Sequence, residues 1–183
     1  MGKVPESSEL GSGTPDKADH PAVSDAYPRL PTELLVLAQN GAAISVAACT
    51  SDGRPLVGLG FGCRSDAGGC LRILLGRKAN ERLLDAVKEG SALAVTFTGT
   101  RDHTAFQVKA AGARLGGACL DDRPEIERQI SLLRDGLVTI GFTPRQAEGY
   151  TSIDLNDLAS IVMRPEKIFN QTPGPGAGAE VTS

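Results

Sequence analysis

The chain has no tryptophan, and only two tyrosines and five phenylalanines among its 183 residues. A surface that stacks nucleic-acid bases needs exposed aromatics beside a basic groove. Here the net charge is -3 and the lysines and arginines are scattered, so the sequence argues against a nucleic-acid partner. Histidine is nearly absent as well, with only His20 and His103, and the four cysteines Cys49, Cys63, Cys70 and Cys119 form no Cys-x-x-Cys pair. The ligand spacings of a structural zinc site are therefore missing, and no metal is expected. The cysteines read instead as reduced thiols that serve as small apolar residues. Long apolar runs are lacking too: nothing approaches the roughly 18 residues needed to cross a bilayer, and no signal-peptide core is visible. A cytoplasmic protein without membrane contact is the expectation.

What is present is a mixture of 40% apolar and 22% charged residues, which suits one domain with one core. Residues 1–28 are rich in Ser, Gly, Pro, Asp and Lys and read as a flexible N-terminal arm. Residues 172–183 have the same character and read as a flexible tail, leaving a folded domain at 29–171.

Within that domain a short helix is expected from Leu30 to Ala38, stopped by Asn40-Gly41. Apolar, β-branched segments at 42–50, 56–63 and 70–75 are separated by turn residues at 51–55 and 66–69, and predict a three-strand meander. Leu83, Leu84 and Val87 then fall at helical spacing within 78–88. Two more strands are predicted at 92–98 and 104–115, helices at 124–133 and from Thr143-Pro144, and a sixth strand at 158–164. The order favours a mainly β fold with helices (α+β), a six-stranded antiparallel barrel, over a doubly wound sheet. The glycines of 58–62 read as close packing in a curved strand, and Asp121-Asp122 as a helix cap.

The most informative stretch is Leu74-Leu75-Gly76-Arg77-Lys78-Ala79-Asn80, where a strand passes directly into a helix through two adjacent cations. Unpaired N–H groups at a helix start, a forked guanidinium and an ammonium together suit a phosphate. Gly76-Arg77-Lys78-Ala79 resembles the corresponding strand–helix junction of the pyridoxamine 5'-phosphate oxidase-like family. Gln107-Val108-Lys109-Ala110-Ala111-Gly112-Ala113 resembles that family's Gln-Val-x-x-x-Gly-x-Ala, and 48–55 resembles its first hairpin. The resemblance covers residues 31 to about 116 and implies an FMN-binding split barrel. It also implies a homodimer with the flavin at the interface. Arg77 and Lys78 would then hold the FMN phosphate, Gln107 would face the ring edge, and the backbone of Ile73 and Leu74 would line the ring.

Two departures narrow the reading. The family's oxidases carry a phosphate-binding arginine in the second strand, whereas 56–62 is uncharged here. They also end in an Arg/Trp-rich segment, while this chain ends in glycine and proline, so pyridoxamine phosphate oxidase activity is not expected. Ile168 and Phe169 are expected to dock on the barrel and bring Asn170 and Gln171 to the flavin rim instead. The expectation is an FMN oxidoreductase acting on a small-molecule substrate or electron donor, with no catalytic residue assigned. The alternative is a haem-binding or cofactor-free dimeric module of the same fold.

Overall fold

The computed structural model describes residues 27–181. The expected N-terminal arm, apart from Tyr27 and Pro28, lies outside these residues. The chain runs through α1 (Thr32–Gln39), β1 (Ala43–Cys49), β2 (Pro55–Gly60), β3 (Gly62–Ser65) and β4 (Leu71–Gly76). A single 3-10 turn (Lys78–Asn80) leads into α2 (Glu81–Lys88), followed by β5 (Leu93–Thr98), β6 (Ala105–Ala110) and β7 (Arg114–Gly117). Next come α3 (Asp122–Thr139), α4 (Pro144–Tyr150), β8 (Leu158–Met163) and β9 (Lys167–Asn170).

All strand pairs among the described residues are antiparallel, as expected. The strand count is not as expected. Instead of a six-stranded barrel there are, among the described residues, nine strands in two sheets, ordered β2-β1-β5-β6-β9 and β3-β4-β8-β7, with no closed ring of pairing. Two of the expected strands are each divided. The chain leaves the first sheet after Gly60 and enters the second at Gly62, and it crosses again between Ala110 and Arg114. The added strand is β9, on the edge of the first sheet.

Alternation explains the first sheet. Ile44, Val46 and Ala48 of β1 are buried while Ser45 and Cys49 are exposed, and Val95, Phe97, Phe106 and Val108 continue the inward face. These residues meet Leu71, Ile73, Leu75, Ile161 and Met163 of the second sheet in one core. Gly60 stands where the sheets come closest: a Cβ there would lie 2.9 Å from Ile44 Cγ2 and 3.0 Å from Ile73 Cγ2. Close packing, as expected for this glycine run, is what the position requires.

Helix α3 covers the outer face of the second sheet, with Ile126 and Ile130 against Leu74 and Leu158. Its buried Gln129 completes the edge strand β3, accepting from Cys63 N at 2.8 Å and donating to Cys63 O at 2.7 Å. An amide side chain thus does for β3 what a further strand would. Asp121 at the start of α3 makes no side-chain cap, contrary to the expected role of the Asp121-Asp122 pair. By contrast α4 begins with a full capping box between Thr143 and Gln146.

The outer face of the first sheet carries the row Leu59, Ser45, Thr96, Gln107, Phe169 across β2, β1, β5, β6 and β9. At the C-terminal end the chain does not leave the body at residue 172. Gly178 N donates to Asn170 O at 2.7 Å, Asn170 N to Ala179 O at 2.9 Å and Val181 N to Ile168 O at 2.8 Å. Glycines 174, 176 and 178, all at positive φ, let the backbone turn back along β9 with little help from side chains.

Candidate functional site

The strand β4 is buried along most of its length and ends at Gly76, after which Arg77 and Lys78 are both exposed. Three contacts fix this corner. Arg77 N donates to Asp157 O at 2.7 Å, Lys78 N donates to the Asp157 carboxylate at 2.9 Å, and Arg77 Nη2 donates to Leu158 O at 3.2 Å. Below them the buried Asn80 donates to Gly76 O at 2.8 Å. Gly58 leaves room for that amide, since a Cβ at 58 would collide with Asn80 Oδ1. The corner is therefore built jointly by β2, the end of β4 and the segment leading into β8.

A cleft of about 670 Å³ opens beside it. Its walls are largely apolar, from Val57, Leu59, Phe61 and Ile153, and its polar groups come from Lys78, Tyr150, Ser152, Asp154 and Asp157. Among the described residues Lys78 has no ion-pair partner, so its ammonium is available to a ligand. The cleft has the size and lining of a small-molecule site. It combines an apolar wall with a polar end that holds Lys78, Asp154 and Asp157.

The structure brings only part of the expected site together. Lys78 lines the cleft and Arg77 adjoins it. Ile73 and Leu74 do not line it: both side chains are fully buried, Ile73 in the main core and Leu74 under α3. Their strand is paired on both sides, with β3 and with β8, because it is an interior strand of the second sheet. Gln107 is half-buried on the outer face of the first sheet, where its Nε2 donates to Thr96 Oγ1 at 2.9 Å. It lies three strand spacings from Leu59 of the cleft wall, about 14 Å. Ile168 is buried and Phe169 packs under the Lys109 ammonium, 4.7 Å from its ring centroid. Asn170 and Gln171 do not reach the cleft: Asn170 bonds to the returning C-terminal segment and Gln171 N to Ala105 O.

Sequence reasoning missed Asp154, Asp157, Tyr150 and Ser152. Tyr150 ends α4 and the other three belong to the connection between α4 and β8, and Asp157 meets Lys78 across 79 residues of chain. The local signal was only an Asp-x-Asn-Asp turn, in which Asp154 accepts from Asn156 N.

A second polar cluster is structural. Asp122, fully buried, receives Arg72 at 2.7 Å, Arg64 at 3.1 Å and Cys119 N at 2.8 Å. Burial alone would raise its pKa, but the hydrogen bonds from Arg72, Cys119 and Arg64 together outweigh it and hold the carboxyl far below the usual range. The two arginines of β3 and β4 are thus committed to α3. Cys63 is buried, and burial followed by the nearby Glu125 charge pushes its thiol up to about 12. Only this cysteine behaves as a small core residue; Cys49 and Cys119 are exposed and Cys70 is half-buried.

No protein-family model and no curated protein sequence matches the chain. Solved structures of pyridoxamine 5'-phosphate oxidase-like proteins are similar to it in fold. A candidate pyridoxamine 5'-phosphate oxidase from Lactobacillus delbrueckii shares 18% identity, over 77% of this chain and 93% of that one, at a TM-score of 0.49. A pyridoxamine 5'-phosphate oxidase-related, FMN-binding protein from Nostoc punctiforme shares 13%, over 79% and 80%, at 0.42. The heme storage protein HutZ from Vibrio cholerae shares 14%, over 78% and 95%, also at 0.42.

Proposed function

We propose that the cleft beside Lys78 binds FMN and that the protein is an oxidoreductase acting on a small-molecule substrate or electron donor. The observation that carries this reading is the junction of an apolar-walled slot with two adjacent exposed cations at the end of β4. Val57, Leu59, Phe61 and Ile153 suit the two faces of a conjugated ring, and Lys78 with Arg77 suits a phosphate. The residues present therefore fit the cofactor at both ends. Bound flavin supplies the electron-transfer chemistry. The protein's part is to hold the phosphate by charge, to keep water from the ring with the β2 and α4 walls, and to offer the Tyr150 and Ser152 hydroxyls to whatever binds beside it.

A homodimer belongs to the same reading. The outer face of the first sheet carries one row of Val57, 72% exposed, Ala47, Ala94, Lys109 and Lys167, beside the row of Leu59, Ser45, Thr96, Gln107 and Phe169. A second copy would cover it. Gln107 is too far from the cleft of its own chain to touch a ring there, so a flavin contact for Gln107 requires the partner. Sedimentation equilibrium at micromolar concentration is expected to give twice the chain mass, and a monomer with saturating FMN present would contradict this arrangement.

The cofactor itself is tested by absorption of the freshly purified protein and by equilibrium dialysis against FMN. Flavin bands, or saturable FMN uptake at one equivalent per chain, are expected. A Soret band would favour haem, for which Tyr150 is the one cleft-lining side chain of a usual axial type. Neither band, with no FMN uptake, would reject the reading.

A further inference from the structure

The Asp157 carboxylate occupies the place where an incoming phosphate would look for a backbone donor. It accepts the Lys78 N–H at 2.9 Å, while the carbonyl of the same residue accepts the Arg77 N–H at 2.7 Å. Both amides at the corner are thus satisfied from within the chain, and a fixed negative charge sits on the cleft wall beside the two cations. Asp154, three residues earlier, adds a second carboxylate to the lining. The charged lining residues are one ammonium, Lys78, and two carboxylates, Asp154 and Asp157. A dianionic phosphate entering this corner would have to displace Asp157 or lie next to it, and like charges at such separations are costly.

We propose that Asp157 is a specificity-determining residue, a built-in competitor that holds down the preference of this site for a phosphorylated over an unphosphorylated ligand. The proposal rests on the flavin reading above and makes it more specific: the wild-type cleft discriminates weakly between FMN and riboflavin, because the apolar slot serves both rings equally. Asp157 takes back much of what Arg77 and Lys78 offer to the phosphate.

The test is fluorescence titration of wild type, Asp157→Asn and Asp157→Ala with FMN and with riboflavin. Asn removes the charge while keeping an acceptor for the Lys78 N–H, and Ala removes both. FMN affinity is expected to rise about tenfold in the Asn variant and further in the Ala variant, with riboflavin affinity changed less than about twofold. The Asn variant, nearly isosteric, guards against loss of fold in the Ala variant, and thermal melts of both confirm it. Unchanged FMN-to-riboflavin ratios, or weaker FMN binding in the Asn variant, would overturn the role of Asp157 while leaving the flavin site standing. Failure of all three proteins to bind either flavin would overturn both.

Discussion

Replacing Arg77 and Lys78 together by alanine is expected to weaken FMN binding at least about 100-fold, since each charge-assisted bond to phosphate contributes about 1.5–3 kcal/mol. The loss should fall on FMN far more than on riboflavin, which has no phosphate to anchor. Of the two side chains, Lys78 should account for more. It lines the cleft and has no ion-pair partner among the described residues, whereas Arg77 already donates to Leu158 O. Fold should be little affected, because two of the three contacts that pin this corner are made by the backbone N–H groups of both residues, which alanine keeps, and only the Arg77 side-chain bond to Leu158 O is lost. Equilibrium dialysis of the double variant against both flavins checks the result. FMN binding as tight as in the parent would show that the anchor lies elsewhere.

The largest expected effect on stability comes from Asp122→Ala. Removing a fully buried carboxylate leaves Arg64 and Arg72 facing each other with no counter-charge, and also orphans Cys119 N. Breaking a buried ion pair from one side typically costs about 3–5 kcal/mol. The lower end applies, about 3 kcal/mol, because both guanidinium groups keep some contact with water. For a chain of this size that corresponds to a fall in Tm of about 6–12 °C. The pH dependence has a definite sign. The carboxyl of Asp122 is depressed in the folded state, so its contribution is fully present above the ordinary carboxylate pKa of about 3.9 and is lost as pH falls through the depressed value. The Tm difference between wild type and variant should be constant above about pH 5 and shrink on further acidification. Calorimetry across that range decides it, and a gap that widens toward acid would contradict the assigned role.

The parts of the fold that were legible are those written in local pattern. Alternating Ile44, Val46 and Ala48 mark β1, the 83–87 spacing marks α2, and Thr143-Pro144 marks the start of α4. The crossings between sheets were not legible. Gly58, Gly60 and Gly62 form one continuous strand-like stretch in sequence, and only the tertiary structure turns the chain at Phe61 into a different sheet. Strand β9 escaped notice for a related reason. Its four residues make sense only beside β6, where Ile168 sits opposite Val108, and the glycine-rich segment after it is held by backbone bonds that composition does not reveal.

The site divides in the same way. Arg77 and Lys78 could be read because strand, cations and helix are consecutive. Their counterpart Asp157 could not, since a contact over 79 residues leaves no periodic trace. Asp122 was legible as a residue near a helix start but not as the partner of two arginines, which come from β3 and β4 and share one cross-strand row only in the folded sheet. Gln107 carries a family-like motif, yet in one chain its amide is spent on Thr96, so the motif gains meaning only if a second chain is present.

The most direct measurement is an amide-resolved NMR titration of the isotope-labelled protein with FMN. Shifts are expected to concentrate at 57–61, 76–80 and 150–157, the three segments that line the cleft, with partner-side changes around Gln107 if the dimer forms. Shifts clustered instead around 33–42 and 99–102, where a separate cleft of about 440 Å³ lies between α1 and the β5–β6 turn, or no shifts at millimolar FMN, would contradict the account.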